Sequence, residues 1–191
     1  VRIRRAFTVV ELLATMMVLT ILSAIAFQGF LVIGAAQKTA TNLPPVQEDA
    51  LRLLTMVTDD LKDAVICTAT TGCTTNSAIH SAATDSVALY VDAAGTRRTY
   101  KRSGTTFQRL EGTSTTPSLT IPDVSALSFR YYTISGGVYN ATSAPTTWST
   151  SIASGSLTTI AAVRVTVTIT RGGLSSTQTT DLRLRNSPHT P

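Results

Sequence analysis

The spacing of apolar residues divides the chain into a long uncharged run, a helical stripe and a series of alternating strands. Between Glu11 and Lys38 no charged residue occurs. As a helix rising ~1.5 Å per residue, Leu12 to Gln37 would measure roughly 39 Å. That exceeds the ~30 Å hydrocarbon core of a bilayer, so the run predicts a membrane-spanning helix from about Phe7 into the low forties. Asn42-Leu43-Pro44-Pro45 is expected to interrupt it, because proline lacks a backbone donor and crowds the preceding turn. A second helix is predicted from about Val46. There Ala50, Leu54, Val57, Leu61 and Ala64 or Val65 recur every three or four residues. Arg52, Asp59, Asp60, Lys62 and Asp63 lie mostly off this stripe and read as a solvated face. The stripe is expected to pack on a sheet.

After Cys73 the period changes to two. Ser86–Val91, Thr96–Arg102 and Thr106–Leu110 read as strands, with turns at Asp92-Ala93-Ala94-Gly95 and Ser103-Gly104. Val124–Ile134 is predicted to place Leu127, Phe129 and Tyr131 on one face and Ser128, Arg130 and Tyr132 on the other. One ring of the Tyr131-Tyr132 pair is thus expected in the core and one outside. Gly136-Gly137 should end this strand, and residues 138–159, which hold Trp148, read as a long surface loop. Val163, Val165, Val167 and Ile169 alternate with Arg164, Thr166, Thr168 and Thr170 in the clearest strand. Arg171-Gly172-Gly173 should turn it into Thr177–Arg185, before a loose tail, Asn186–Pro191. The whole predicts an α+β fold: a long N-terminal helix continuing into a helix packed on an antiparallel sheet.

Charge adds direction. Arg2, Arg4 and Arg5 supply most of the net +5, so the basic balance reads as a targeting signal more than a nucleic-acid footprint. Positive residues favour the cytoplasmic side, which would leave the C-terminal part exported. Glu11 at the edge of an apolar helix is costly and calls for a partner. An ordinary signal peptide is the alternative, with Ala24-Ile25-Ala26 as its cleavage site. Glu11 and the apolar continuation Phe27–Ile33 speak against it. About 145 residues follow the anchor, enough for one modest domain. Few charges and many Ser and Thr suit a solvated β-rich surface outside the cell.

Candidate chemistry is sparse. Cys67 and Cys73 can pair if the domain is exported, which would contribute about 2 kcal/mol for so short a loop; otherwise they are two free thiols. With His80 and His189 the only histidines and no second cysteine pair, nothing suggests a zinc site. His80, Asp85 and a serine could be imagined as a triad, but chance placement explains them, and no enzyme or cofactor is expected. Gly136-Gly137 and Gly172-Gly173 read as turns instead of phosphate loops. Arg97, Arg98, Lys101 and Arg102 around Tyr100 could touch DNA, although basic strand ends on a solvated face are the simpler reading. Asn140-Ala141-Thr142 matches a glycosylation acceptor.

The first thirty residues resemble the N-terminus of type IV pilins and type II secretion pseudopilins. A short basic leader and a small residue, Ala6, precede Phe7-Thr8-Val9-Val10-Glu11-Leu12-Leu13 and an apolar helix. Ala6 stands where the family usually has Gly, and Gln28-Gly29 occupies a region where many major pilins have Pro. Asp49–Leu54, Asp59–Ala64 and the ending Asp181–Asn186 look, more narrowly, like minor pilins and pseudopilins of the W/J type. The resemblance implies a leader (1–6), a transmembrane and assembly helix (7–43) and an exported α+β domain (44–191). It implies cleavage by a prepilin peptidase between Ala6 and Phe7, N-methylation of Phe7, and Glu11 as the carboxylate that recruits the amine of an incoming subunit. The implied partners are other pilin or pseudopilin subunits, the peptidase and inner-membrane lipid, with DNA or a secreted protein as further candidates. The implied location is the bacterial inner membrane, then a filament. The expected function is a structural subunit of a type IV pilus, type II secretion or DNA-uptake filament. The alternative is a membrane-anchored exported binding domain that does not polymerise.

Overall fold

Helix α1 runs from Val9 to Lys62 in a computed structural model that describes residues 8–68, 73, 77–134 and 147–184. Ala6, Phe7, the leader arginines, Gly136-Gly137, Asn140-Ala141-Thr142, His189 and the tail lie outside the described residues. The chain divides into two compact units, Val1–Asn42 and Leu43–Pro191.

The expected interruption at Asn42–Pro45 is not observed: Pro44 and Pro45 lie inside the helix. Each proline deprives a carbonyl four residues earlier of its donor. Those carbonyls belong to Ala40 and Thr41, which are exposed, so water can satisfy them. The prolines also fall immediately before Val46, the first buried residue of the helix. They thus precede the packed segment, whose register is held by Val46, Ala50, Leu53, Leu54, Val57 and Leu61. Each large side chain among these contributes about 1.5–3 kcal/mol on burial.

The stripe packs on β-structure as expected. β1 (Ile79–Ala82), β2 (Ser86–Tyr90), β3 (Arg97–Ser103), β4 (Thr106–Glu111) and β5 (Leu119–Ile121) form an antiparallel sheet in chain order. β6 (Val124–Thr133), β7 (Ile160–Arg171) and β8 (Leu174–Arg183) form a second antiparallel sheet. One core joins the helix stripe to both, with Val87, Leu89, Tyr100 and Phe107 from the first and Phe129, Tyr131, Val165 and Val167 from the second. Val163, Val165, Val167 and Ile169 are all buried, and Tyr131 is buried while Tyr132 is only partly so. Gly172 and Gly173, at φ 59° and 82°, form the two-residue loop between Arg171 and Leu174, which needs positive φ at both positions.

Of residues 138–159, expected as a surface loop, only 147–159 are described, and these are more structured than a loop. They bridge Ser149 to Tyr131 and Ile152 to Ala82, then form a 3-10 helix, Ser154–Thr159, whose Leu157 is buried. Ser77 donates its hydroxyl to the Leu157 carbonyl at 3.2 Å, fixing this segment beside β1.

Candidate functional site

The N-terminal end of α1 is closed by Thr8 and Glu11. The Thr8 carbonyl accepts the first helical bond, from the Leu12 amide at 3.2 Å. The Thr8 hydroxyl oxygen accepts the Glu11 amide at 3.3 Å, and a Glu11 carboxylate oxygen accepts the Thr8 amide at 3.1 Å. This reciprocal box satisfies donors that have no partner within the helix. It also places a carboxylate at the positive end of the helix dipole.

Beyond the cap, α1 is apolar all round. Large side chains from Val9 to Ile33 are more than half exposed, from 53% at Leu12 to 75% at Val9 and Val10. Within this stretch Thr15 and Thr20 donate their hydroxyls to the carbonyls of Leu12 and Met17, both at 2.8 Å. Their polar atoms therefore need no water, which is the condition for placing them in lipid. α1 is long and apolar enough to cross a membrane.

In the second unit, Cys67 and Cys73 stand at disulfide distance, with Cα atoms 5.8 Å apart. His80 is fully engaged. Arg97 donates to its Nε2 at 2.7 Å, so Nδ1 carries the proton and is 2.7 Å from the Tyr90 hydroxyl. Burial, and then the nearby Arg97 charge, hold the imidazole below its usual pKa. The neutral ring thus tethers β1 to β2 and β3. Among the described residues, Tyr90 and Arg97 are the hydrogen-bond partners of the imidazole, and neither Asp85 nor a serine joins them.

The basic cluster around Tyr100 is dispersed. The Tyr100 ring is buried and stacks on Phe107 with centroids 5.7 Å apart. Its hydroxyl donates to Asp60, and Arg98 binds the same carboxylate at 2.7 Å and Glu111 at 2.9 Å. Asp60, expected on a solvated face, thus connects α1 to β3. Burial lifts its carboxyl above the usual carboxylate range, against the pull of Arg98 and Arg109. The ring and the Arg98 charge are turned to internal partners, leaving Lys101 and Arg102 near the β3–β4 turn.

A groove of about 550 Å³ lies between α1 and β5, floored by Leu53, Met56, Leu119 and Ile121. At its rim Arg171 bridges Asp49 at 3.0 Å and Asp123 at 2.8 Å. Among the described residues, no three His, Cys, Asp or Glu side chains converge in a way that could hold a metal ion.

No protein-family model and no curated protein matches the chain. The class of protein is therefore defined by architecture: a membrane-anchor-like apolar helix leading into an antiparallel β-sheet domain, which is consistent with a pilin-like architecture.

Proposed function

We propose that this chain is a filament subunit of the type IV pilin and type II pseudopilin class, more narrowly a minor pilin or pseudopilin. The observation that carries the reading is one ordered series. Basic residues and Ala6 come first, then Phe7-Thr8-Val9-Val10-Glu11, then a helix whose apolar side chains are exposed around its whole circumference. Such a helix is stable only among lipid chains or other apolar helices, and a filament supplies the second environment after the membrane supplies the first.

In this reading a prepilin peptidase of the bacterial inner membrane cuts between Ala6 and Phe7 and methylates Phe7. Cleavage turns a neutral peptide nitrogen into an amine with a reference pKa of about 8, cationic at neutral pH. The Phe7 ammonium of an incoming subunit then pairs with Glu11 of one already in the filament. A second reading is favoured by the Thr8–Glu11 box: Glu11 serves only to cap α1, and the protein is an anchored exported binding domain that does not polymerise.

The test is Glu11→Ala in a deletion strain. Assembly predicts that the variant is inserted and cut after Ala6 but is missing from sheared filaments. Normal incorporation would remove Glu11 from the docking step and leave the capping role.

A further inference from the structure

Within the second unit α1 has two unlike flanks, and each carries what the other lacks. On one flank the groove between α1 and β5 is open. Its floor is apolar, from Leu53, Met56, Leu119 and Ile121. β5 is the last strand of its sheet, so among the described residues no further strand closes the groove. Arg52 stands exposed at its lip. On the other flank lies Leu51, 49% exposed. Among the described residues after Ile33 no other large apolar side chain is so exposed. At about 100° per residue, Leu51 lies roughly 140–200° around the helix from the groove residues Asp49, Leu53 and Met56. Glu48, one turn before Leu51, is exposed beside it.

The charges of the two flanks match. Glu48 and Arg52 are four residues apart on one helix, a spacing that allows a weak ion pair. Neither has an ion-pair or side-chain hydrogen-bond partner among the described residues. The other rim cation is engaged, because Arg171 binds Asp49 and Asp123. The groove thus presents one free cation over an apolar floor. The opposite flank presents one free carboxylate beside one exposed leucine.

We propose that the groove receives the Leu51 flank of a second copy of this chain, with the incoming Glu48 meeting Arg52. The inference rests on the filament reading above and names a contact of that assembly beyond Glu11. At about 550 Å³ the groove is larger than one leucine needs, and it takes the ridge of Glu48, Leu51 and Thr55. An unrelated apolar ligand would cover the groove and leave Leu51 and Glu48 in water, whereas a second copy covers both surfaces. Because the two surfaces differ and lie on opposite flanks, the contact is head-to-tail. Each bound copy still presents its own open groove, so the contact passes from copy to copy instead of closing as a two-fold pair.

The test places the photo-reactive residue p-benzoylphenylalanine at position 51 of the full chain. Membranes of the producing cell are irradiated, and sheared filaments from the same cells are scored alongside. The expected adduct joins position 51 of one copy to residues 52–56 or 119–122 of another. Arg52→Glu should lower its yield about tenfold or more, because Glu48 then meets a like charge, and Glu48→Arg should do the same. Co-producing a labelled Glu48→Arg copy with an unlabelled Arg52→Glu copy should restore it, which no repair within a single helix can do. Filaments without the adduct would overturn the contact alone. So would an adduct between two residues 51, an adduct to lipid or a different protein only, or a yield indifferent to Arg52→Glu. The adduct without filaments would keep the contact and overturn the filament reading, and the absence of both would overturn the two together.

Discussion

Thr8 and Glu11 exchange hydrogen bonds across the first turn of α1, each residue's side chain accepting the other's amide. The same carboxylate that could meet an incoming amine is thus already committed to its own helix. Capping and assembly can be separated by two variants that break the same box. Thr8→Val removes the cap, at about 1 kcal/mol of helix stability, but leaves the carboxylate. Glu11→Ala removes the carboxylate and its bond to the Thr8 amide, while the Thr8 hydroxyl can still accept the amide of residue 11. If Glu11 recruits a neighbour, Thr8→Val subunits enter filaments and Glu11→Ala subunits do not. Equal defects in sheared-filament fractions would mean that the cap is all that matters.

The cysteines test export as well as stability. Cys67 and Cys73 should resist alkylation in native protein until reductant is added. Cys67→Ser should lower the stability of the β domain by about 2 kcal/mol in denaturant titrations, the entropy model's value for a loop this short. Rapid labelling of both thiols without reductant would contradict the bridge and weaken the case for export.

Asp60 should be worth more than a surface carboxylate. Asp60→Ala strands the buried Tyr100 hydroxyl and removes one of the two carboxylates on Arg98. The expected loss is about 1–3 kcal/mol, read from chemical unfolding. Asp59, which bonds only the exposed Lys62 at 3.2 Å, should change stability by about 0.5 kcal/mol or less when replaced.

His80 gives the domain an acid-sensitive point. Its folded pKa is lowered, so the unfolded chain takes up a proton first as pH falls. The neutral ring's contribution is complete above the unfolded value of about 6.5 and is lost as pH falls from there through the folded value. Stability should therefore drop over that window in wild type and drop less in His80→Gln, which keeps a polar side chain without the titration. Parallel pH profiles by thermal unfolding would contradict the assignment.

Local periodicity made much of this fold legible. Strand β7 could be read directly because Val163, Val165, Val167 and Ile169 all enter the core while Arg164, Thr166, Thr168 and Thr170 do not. The helix stripe was legible through Ala50, Leu54, Val57 and Leu61. Leu53 escaped it because a helix held against two sheets buries a wider arc than one row. β1 and β5 were too short, at four and three residues, to show an alternation. Asp60 looked solvated because its partners Arg98 and Tyr100 lie 38 and 40 residues away. No local pattern carries that information. The Pro44-Pro45 pair misled because the rule for helix interiors gives no weight to whether the orphaned carbonyls stay in water. At the N-terminus, the reciprocal Thr8–Glu11 box emerged only from the structure, although a Thr-x-x-Glu spacing carries that signal; the resemblance alone supplied the docking role.

The central claim is that α1 begins life behind a leader and ends in a filament, and the mature N-terminus tests it most directly. Mass spectrometry of the N-terminal peptide from membranes of the producing cell should find a chain that starts at N-methylated Phe7. A chain that retains the residues before Phe7, or one cut after Ala26, would contradict the account.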